Sequence, residues 1–380
     1  MPSPHRSLFP LSEDCVFLDH AGVAPVSTRV ADAVRRFLDE ATADGPRRYP
    51  YWNLRAEEVR AACGRLVGAE PRQVAFVKNT SEGLSFVARG LEWKPGDVVL
   101  LADREFPSNV YPWWALAHQG VEARFVDVGE AGIDVEAVAR SFDDRVRVVA
   151  LSAVAYGTGE RIDLGAIGRF CRERDVFFVV DGAQAVGALP LHLERQRLDC
   201  IAADGHKWLC APEGAGFMAL SERLLDRLQP VEIGWKSVVN GEASFYPYDF
   251  TLRRDAAKLE AGSLNLMAIH GLGAAVDLAL EVGMDEIETR VRELADLLVA
   301  GLSERGRTVS GTAARDPLRR AGIVTFVPVA NPERLRQELW SRGVVARTRF
   351  GGLRLAPHHY QDDGDVGRFF ERYDAAEAAI

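Results

Sequence analysis

Short runs of apolar residues alternate with segments of helical length through the first two thirds of the chain. Several runs are continuous and rich in β-branched residues, which is typical of strands buried on both faces of a parallel sheet. The predicted strands are Val74–Val77, Asp97–Leu101, Ala123–Val128, Val146–Leu151, Phe177–Val180 and Cys200–Ala203. Helical segments between them are predicted up to Leu91, around Val110–His118 and over Leu164–Arg174. This alternation predicts an α/β fold with a mostly parallel sheet.

The pattern changes after about Leu252. The predicted elements from there on are helices over Asn265–Leu280 and Met284–Leu302, a strand at Ile323–Val327, a helix over Pro332–Ser341, short strands near Val344 and Leu353, and a last helix from Asp363. We therefore predict a large domain of residues 16–252. A smaller α+β domain is predicted to contain residues 1–15 and 253–380.

Composition excludes several classes of function. The net charge of −9 argues against nucleic acid or an anionic membrane as a partner. No apolar run is long enough for a membrane span, and the first residues lack the apolar segment of a signal peptide. The five cysteines are scattered without disulfide or zinc spacing. We expect a cytoplasmic protein with no metal site, because His358 and His359 also lack a suitably spaced carboxylate or cysteine.

A carboxylate and a lysine follow two of the predicted strands. Asp181 closes the strand Phe177–Val180, and Lys207 comes shortly after Cys200–Ala203. Ligands of open α/β folds bind at the carboxyl ends of the strands. There, a lysine can form an imine with pyridoxal 5′-phosphate (PLP) while an aspartate keeps the pyridine nitrogen protonated. From these two residues alone, an ion pair at the sheet edge is an equal alternative.

A second polar element follows the strand Val74–Val77. Thr80 and Ser81 open a helix there, and their hydroxyl and N–H groups suit a phosphate at the positive helix terminus. An ordinary helix cap formed with Glu82 would give the same pattern.

Taken together, these motifs resemble the class V aminotransferase family of fold-type I PLP enzymes. The similarity rests on Asp181-Gly182-Ala183-Gln184 and Gly205-His206-Lys207, and it extends from Phe17–Gly22 to Arg354–His358. It implies a large, mostly parallel seven-stranded sheet domain with a smaller α+β domain. It further implies PLP as cofactor, a small amino acid as substrate, and a homodimer.

The resemblance also implies roles for individual residues around the cofactor. Lys207 is expected to form the Schiff base, Asp181 to hold the pyridinium nitrogen and Gln184 to bind the phenolic oxygen. Phe106 is expected to stack on the ring. The expected phosphate ligands are Thr80, Ser81, His206 and, from the neighbouring subunit, Ser263.

On the substrate side, Arg354 matches the arginine that binds the α-carboxylate. A guanidinium suits that bidentate contact, and Arg347 or Arg349 could share it. His20 and Tyr156 are also expected to contact the substrate.

Three departures from the family pattern bear on the reaction. Phe106 stands where cysteine desulfurases carry histidine, and its ring cannot transfer protons. No cysteine follows Cys210, so a persulfide would have no carrier. Asp204 replaces the phosphate-binding serine of many relatives, and we expect it to turn towards backbone donors or an arginine.

These observations favour chemistry at Cα with Lys207 as the base, and they leave the final reaction open. Transamination is the preferred interpretation. A Cβ–S or Cβ–N lyase comes next, and an epimerase would need a second acid such as Tyr156. A non-catalytic scaffold is the alternative from another class, against which the joint presence of Lys207, Asp181, Gln184 and His206 argues.

Overall fold

The computed structural model describes residues 3–12, 14–126, 132–241, 246–311 and 316–380. Its main element is a seven-stranded sheet in the order β2-β8-β7-β6-β5-β3-β4. These strands are Val74–Val77 (β2), Val98–Ala102 (β3), Glu122–Val126 (β4), Val146–Ser152 (β5), Phe177–Asp181 (β6), Cys200–Asp204 (β7) and Gly216–Leu220 (β8). All run parallel except β8, which is antiparallel to both β7 and β2. The predicted α/β fold and seven-stranded sheet are confirmed.

Helices cover both faces of this sheet. They are Thr28–Ala43 (α1), Tyr49–Val67 (α2), Thr80–Gly90 (α3), Tyr111–Trp114 (α4), Val135–Ser141 (α5), Leu164–Glu173 (α6), Glu222–Arg227 (α7) and Leu266–Val282 (α8). Three further helices follow: Met284–Glu304 (α9), Pro332–Ser341 (α10) and Asp363–Glu377 (α11). Alternate residues of β3 show why the strands read as continuous apolar runs. Val98 and Leu100 enter one hydrophobic core, whereas Val99 and Leu101 enter the other.

The helix predicted around Val110–His118 is broken into short pieces. Only Tyr111–Trp114 is α-helical, between 3₁₀ turns at Pro107–Asn109 and Ala115–Gln119. Two prolines in this stretch lack the N–H that a continuous helix needs. The strand predicted to Val128 ends at Val126 within the described chain, and its last two positions lie outside the described residues.

The smaller domain has a core of its own. Its antiparallel sheet has the order β12-β13-β10-β9, and β1 pairs in parallel with β11. These strands are Val16–Phe17 (β1), Thr308–Val309 (β9), Val324–Val327 (β10), Val344–Val345 (β11), Arg347–Arg349 (β12) and Gly352–Leu355 (β13). The helices α9, α10 and α11 contribute Leu298, Leu335 and Phe369 to this core.

The packing corrects the predicted domain boundary at two places. Helix α8 was assigned to the small domain but packs against α1 and α2 in the core of the large sheet. Close approach explains this position, because a Cβ added at Gly273 would lie 2.3 Å from Val59 of α2. Conversely, Val16 and Leu18 were assigned to the large domain but are buried in the small-domain core, since β1 pairs with β11.

Among the described helices, no single one is long and apolar enough to cross a membrane. Helices α8 and α9 together meet that length and composition, but the chain bends by 84° between them.

Candidate active site

Polar side chains converge where parallel strands end at the carboxyl edge of the large sheet. Asp181 is the last residue of β6 and Asp204 the last of β7, while Thr80 begins α3 after β2. Lys207 follows β7 by one turn, and its Nζ lies 3.2 Å from Asp204 Oδ2 and 5.7 Å from the centre of the Phe106 ring. The topology thus brings the predicted lysine, carboxylate and stacking ring into one site.

Asp204 differs from its prediction. Among the described residues it meets neither a backbone donor nor an arginine; its Oδ2 accepts from the Thr80 hydroxyl at 3.1 Å and from Lys207. These are the donors within reach at the end of β7, one from α3 and one from the loop that follows β7. The ion pair of Lys207 is therefore made with Asp204, where the sequence suggested Asp181 as the alternative.

Asp181 is almost completely buried, with 4% of its surface exposed. Burial raises its pKa to about 6, although the Lys207 ammonium and the Ala183 N–H, which donates to Oδ1 at 2.9 Å, oppose the rise. A buried carboxyl of this kind is strongly attracted to a positively charged donor. That is the property required of a partner for a protonated ring nitrogen.

Gln184 is held in place by two neighbours. Its Nε2 donates to the Ala21 carbonyl at 3.0 Å, and its Oε1 accepts from the Trp208 indole at 2.8 Å. Since an amide NH₂ has two hydrogens, one donor remains for a cofactor oxygen.

Of the predicted phosphate ligands, Thr80 and Ser81 begin α3, His206 follows β7 and Ser263 precedes α8. The Ser81 and Ser108 hydroxyls are 2.6 Å apart, and the Asn79 side chain caps the helix by accepting from Glu82 N–H. His206 Nδ1 and Asp204 Oδ1 are buried and have no hydrogen-bond partner among the described residues. Ser263 is exposed on the segment that leads into α8.

Arg354 is buried and already paired. One terminal nitrogen donates to Asp19 Oδ1 at 2.9 Å and the other to the Tyr156 carbonyl at 3.0 Å. Burial lowers its pKa, and the attraction of Asp19 opposes this. Its Nε finds no acceptor in the described part of the chain. Arg347 contacts the other oxygen of Asp19, so two arginines share one carboxylate.

His20 does not fit the expected substrate contact. Its ring is fully buried, with Nδ1 2.8 Å from the Ala356 carbonyl and Nε2 2.8 Å from the Tyr360 hydroxyl. Burial also lowers its pKa well below the usual value. Both ring nitrogens are used to pack the N-terminal segment on the small domain, and none is left for a substrate.

A cavity of about 470 Å³ lies beside Tyr156. The Tyr156 ring contacts Phe106 edge-on at 5.2 Å and Phe350 at 5.3 Å, and Phe350 and Ser152 also line the cavity. This volume lies within the range of small-molecule sites.

Glu105 is a site residue that the sequence analysis missed. It lines the same cavity, and its carboxylate accepts from the N–H of Ser152 at 2.7 Å and from the Ser152 hydroxyl at 2.5 Å. Burial, together with the charge of Asp181, raises its pKa to about 7. The available signal was its position just after β3 and before Phe106, but one acidic residue at a strand end does not indicate burial.

The site fits the cofactor implied by the sequence. Lys207 supplies an amine, Asp181 a buried carboxylate, and Phe106 an aromatic face that is 39% exposed. The unpaired buried atoms of Asp204 and His206 mark a place where additional polar groups belong.

Comparison with known proteins agrees with this geometry. A sequence profile described as Aminotransferase class-V matches residues 16–361. The chain is 30% identical over 328 residues to a probable cysteine desulfurase of Methanothermobacter thermautotrophicus, covering 84% of this chain and 80% of that protein. It is also 30% identical over 336 residues to isopenicillin N epimerase of Streptomyces clavuligerus, covering 84% and 83%.

Among solved structures, a C-DES mutant with glycine covalently linked to its PLP cofactor has the same fold. The TM-score is 0.89 at 24% identity, and the match covers 98% of this chain and 100% of the other.

Proposed function

Because the chain belongs to the class V aminotransferase family and uses PLP, we propose that it transaminates amino acids, with Lys207 moving the Cα proton. When bound, PLP supplies an aldehyde that reacts with amines and a ring that takes up the charge left at Cα. The rest of the mechanism belongs to residues of this chain.

Lys207 is proposed as the single acid and base. Its ammonium is held by Asp204 at 3.2 Å, one turn from the end of β7, so a short side-chain movement brings it to the substrate. Asp181 holds the proton on the ring nitrogen, and Gln184 donates its remaining N–H to the phenolic oxygen. Arg354 binds the carboxylate of the substrate and so orients the substrate. The aromatic face of Phe106 keeps water from one side of the site.

The cysteines support a reaction that does not pass through a protein persulfide. Burial raises the pKa of the Cys63 and Cys171 thiols to about 12, and it also raises the pKa of Cys15, Cys200 and Cys210. A thiolate is the nucleophile in sulfur transfer, and none of these thiols ionises readily.

The surroundings of Tyr156 give little support to an epimerase. The ring packs against Phe106 and Phe350, two side chains without protons to exchange. Reprotonation from the face opposite Lys207 would have to come from the Tyr156 hydroxyl or from Glu105 in the same cavity, and both oxygens of Glu105 are already engaged by Ser152.

The observation that carries the proposal is the Lys207 amine beside the Phe106 ring, which can take and return the Cα proton, in a chain whose five cysteine thiols all have a raised pKa. To test it, the purified enzyme is given a panel of amino acids, with and without a keto acid acceptor. Transamination predicts that turnover needs the acceptor and releases no ammonia. Borohydride should attach the cofactor to the peptide containing Lys207, whereas attachment at Lys78 would contradict the assigned site.

A Cβ–S lyase is the second candidate, supported by the similarity to the probable cysteine desulfurase and by the cavity beside Tyr156. In the same assay, a lyase would release ammonia and a keto acid without any acceptor. Free sulfide from cysteine would fit this outcome, whereas labelled sulfur on a cysteine of the protein would contradict both candidates.

We also propose that the enzyme is a homodimer. Ser263 is exposed on the segment before α8, and its motif matches a position that reaches the phosphate of a neighbouring subunit.

A further inference from the structure

The carboxylate of Asp204 lies among residues proposed to bind the cofactor's phosphate. It is 6% exposed, and the Thr80 hydroxyl at the start of α3 donates to its Oδ2. A hydroxyl has one proton to donate, so Thr80 cannot make the same contact with Asp204 and with an acceptor oxygen of a phosphate.

The second oxygen of Asp204 needs a donor. Oδ1 is buried and has no partner within the described ranges, and leaving such an oxygen unpaired costs about 1–3 kcal/mol. The nearby charged groups do not change this. Lys207 contacts Oδ2 and not Oδ1. The Asp181 carboxylate at the end of β6 repels the Asp204 carboxylate. His206 Nδ1 is itself unpaired among the described residues.

A fully ionised phosphate would offer Asp204 only acceptors and a like charge. Once Lys207 is bonded to the cofactor, Asp204 also loses its ammonium partner. A phosphate that keeps one proton would instead donate to Oδ1 and carry less charge towards the carboxylate.

We propose that Asp204 makes this site bind the cofactor's phosphate in its singly charged form, with the P–OH group donating to Oδ1. This inference rests on the proposed phosphate site but not on the type of reaction. Free phosphate monoesters lose this proton with a pKa of about 6, so the site holds it above its usual range.

The test compares PLP with pyridoxal, which lacks the phosphate. Cofactor-free enzyme is titrated with each between pH 6.5 and 8.5, and bound ligand is measured by absorbance. The ratio of the two affinities cancels the pH dependence of Lys207. We expect the affinity for PLP divided by the affinity for pyridoxal to fall by up to about tenfold for each rise of one pH unit in the wild type. The ³¹P NMR signal of bound PLP should remain that of the monoanion at pH 8.5.

In Asp204→Asn the ratio should become independent of pH, and the ³¹P signal should become that of the dianion. Asp204→Ser should give the same result. Agreement between the two variants would show that the loss of the carboxylate charge, and not a folding defect of one variant, is the cause. Asp181→Asn is the matched control, because it should weaken PLP and pyridoxal equally and keep the slope. A dianion signal in wild-type enzyme at pH 8.5 overturns the proposal, as does a slope retained in both Asp204 variants. Amino-acid turnover plays no part in this readout, so the result stands whichever reaction is catalysed.

Discussion

At the scale of single residues, Asp19 is the partner that fixes Arg354, the residue proposed to bind the substrate carboxylate. It binds Arg347 with one oxygen and Arg354 with the other, and the Tyr156 carbonyl takes a further N–H of Arg354. The unpaired Nε of Arg354 is buried at the same place. A substrate carboxylate would therefore meet a fixed guanidinium, whose planar fork a lysine cannot reproduce.

We predict that Arg354→Lys lowers kcat/KM for α-amino acids by about 30- to 150-fold, which corresponds to about 2–3 kcal/mol. Lysine can keep the ion pair with Asp19, so the fold and the bond of Lys207 to PLP should persist. It loses the contact with the Tyr156 carbonyl. Amines without a carboxylate should be affected far less. Arg349→Lys is the control, and a larger loss in that variant would move the carboxylate site to Arg349.

Glu105 leads to a prediction about stability and pH. Its pKa is about 7 in the folded protein against an ordinary value of 4.5, so folding favours its protonated form. Its contribution to stability is complete below pH 4.5 and is lost as the pH rises through 7. Glu105→Gln keeps an acceptor for the Ser152 N–H and adds a donor for its hydroxyl. We expect the free energy of unfolding of the variant to exceed that of the wild type by about 2 kcal/mol at pH 8, and to equal it at pH 4.5.

Urea unfolding of the cofactor-free protein at the two pH values measures this difference. Asp103→Asn changes a neighbouring but exposed carboxylate and should have no comparable effect. Equal stability of wild type and Glu105→Gln at pH 8 would mean that Glu105 is not held in its acid form by the fold.

The sequence indicated the residues whose position follows from a strand end. Asp181 and Lys207 could be assigned to one sheet edge because parallel strands end there. The contact of Lys207 with Asp204 could not be read in this way, since it depends on the path of the loop after β7. The sharing of Asp19 by two arginines joins positions far apart in the chain, which no local pattern records.

At the scale of elements, a buried ion pair joins α2 and β2 to the segment that carries Ser263. Arg60 donates to both oxygens of Glu260 at 2.6 and 3.0 Å, and the Phe76 N–H donates to the same carboxylate at 2.8 Å. Both charged residues are 5% exposed. Without Glu260, Arg60 keeps only the exposed carboxylate of Glu57 as a charged partner, so its buried charge is left poorly compensated.

We predict that Glu260→Gln lowers the free energy of unfolding by about 3–5 kcal/mol. The matched control is Glu222→Gln, which breaks the exposed pair with Arg72 and should cost less than about 1 kcal/mol. Urea denaturation of the three proteins gives the comparison. Similar midpoints for both variants would show that the Arg60 pair adds no more than a surface pair.

Strong periodicity explains which elements were predicted well. Helix α10 has the predicted bounds, Pro332–Ser341, because Asn331 caps it and Pro332 opens it. The strand β8 was missed, since Gly216–Leu220 contains no β-branched residue and its place in the sheet is fixed by pairing with β7 and β2. The position of α8 depends on small residues that meet α2, a contact without a local signal.

At the scale of the whole molecule, the proposed homodimer gives a further prediction. If Ser263 completes the phosphate site of a neighbouring subunit, the protein should sediment as a dimer and retain PLP only in that state. Ser263→Ala should keep the dimer but bind PLP more weakly, because one hydroxyl donor is lost, while pyridoxal binding should not change. A monomer saturated with PLP would contradict this arrangement.

The pairing of β1 with β11 has a consequence for the order of events during synthesis. Asp19 is made 328 residues before its partner Arg347. A ribosome therefore releases the whole large sheet before the first strand finds its place, so that sheet is able to fold while residues 16–20 wait. The contact between Asp19 and Arg354 therefore forms late, and the guanidinium of Arg354 is not fixed until β1 has paired with β11.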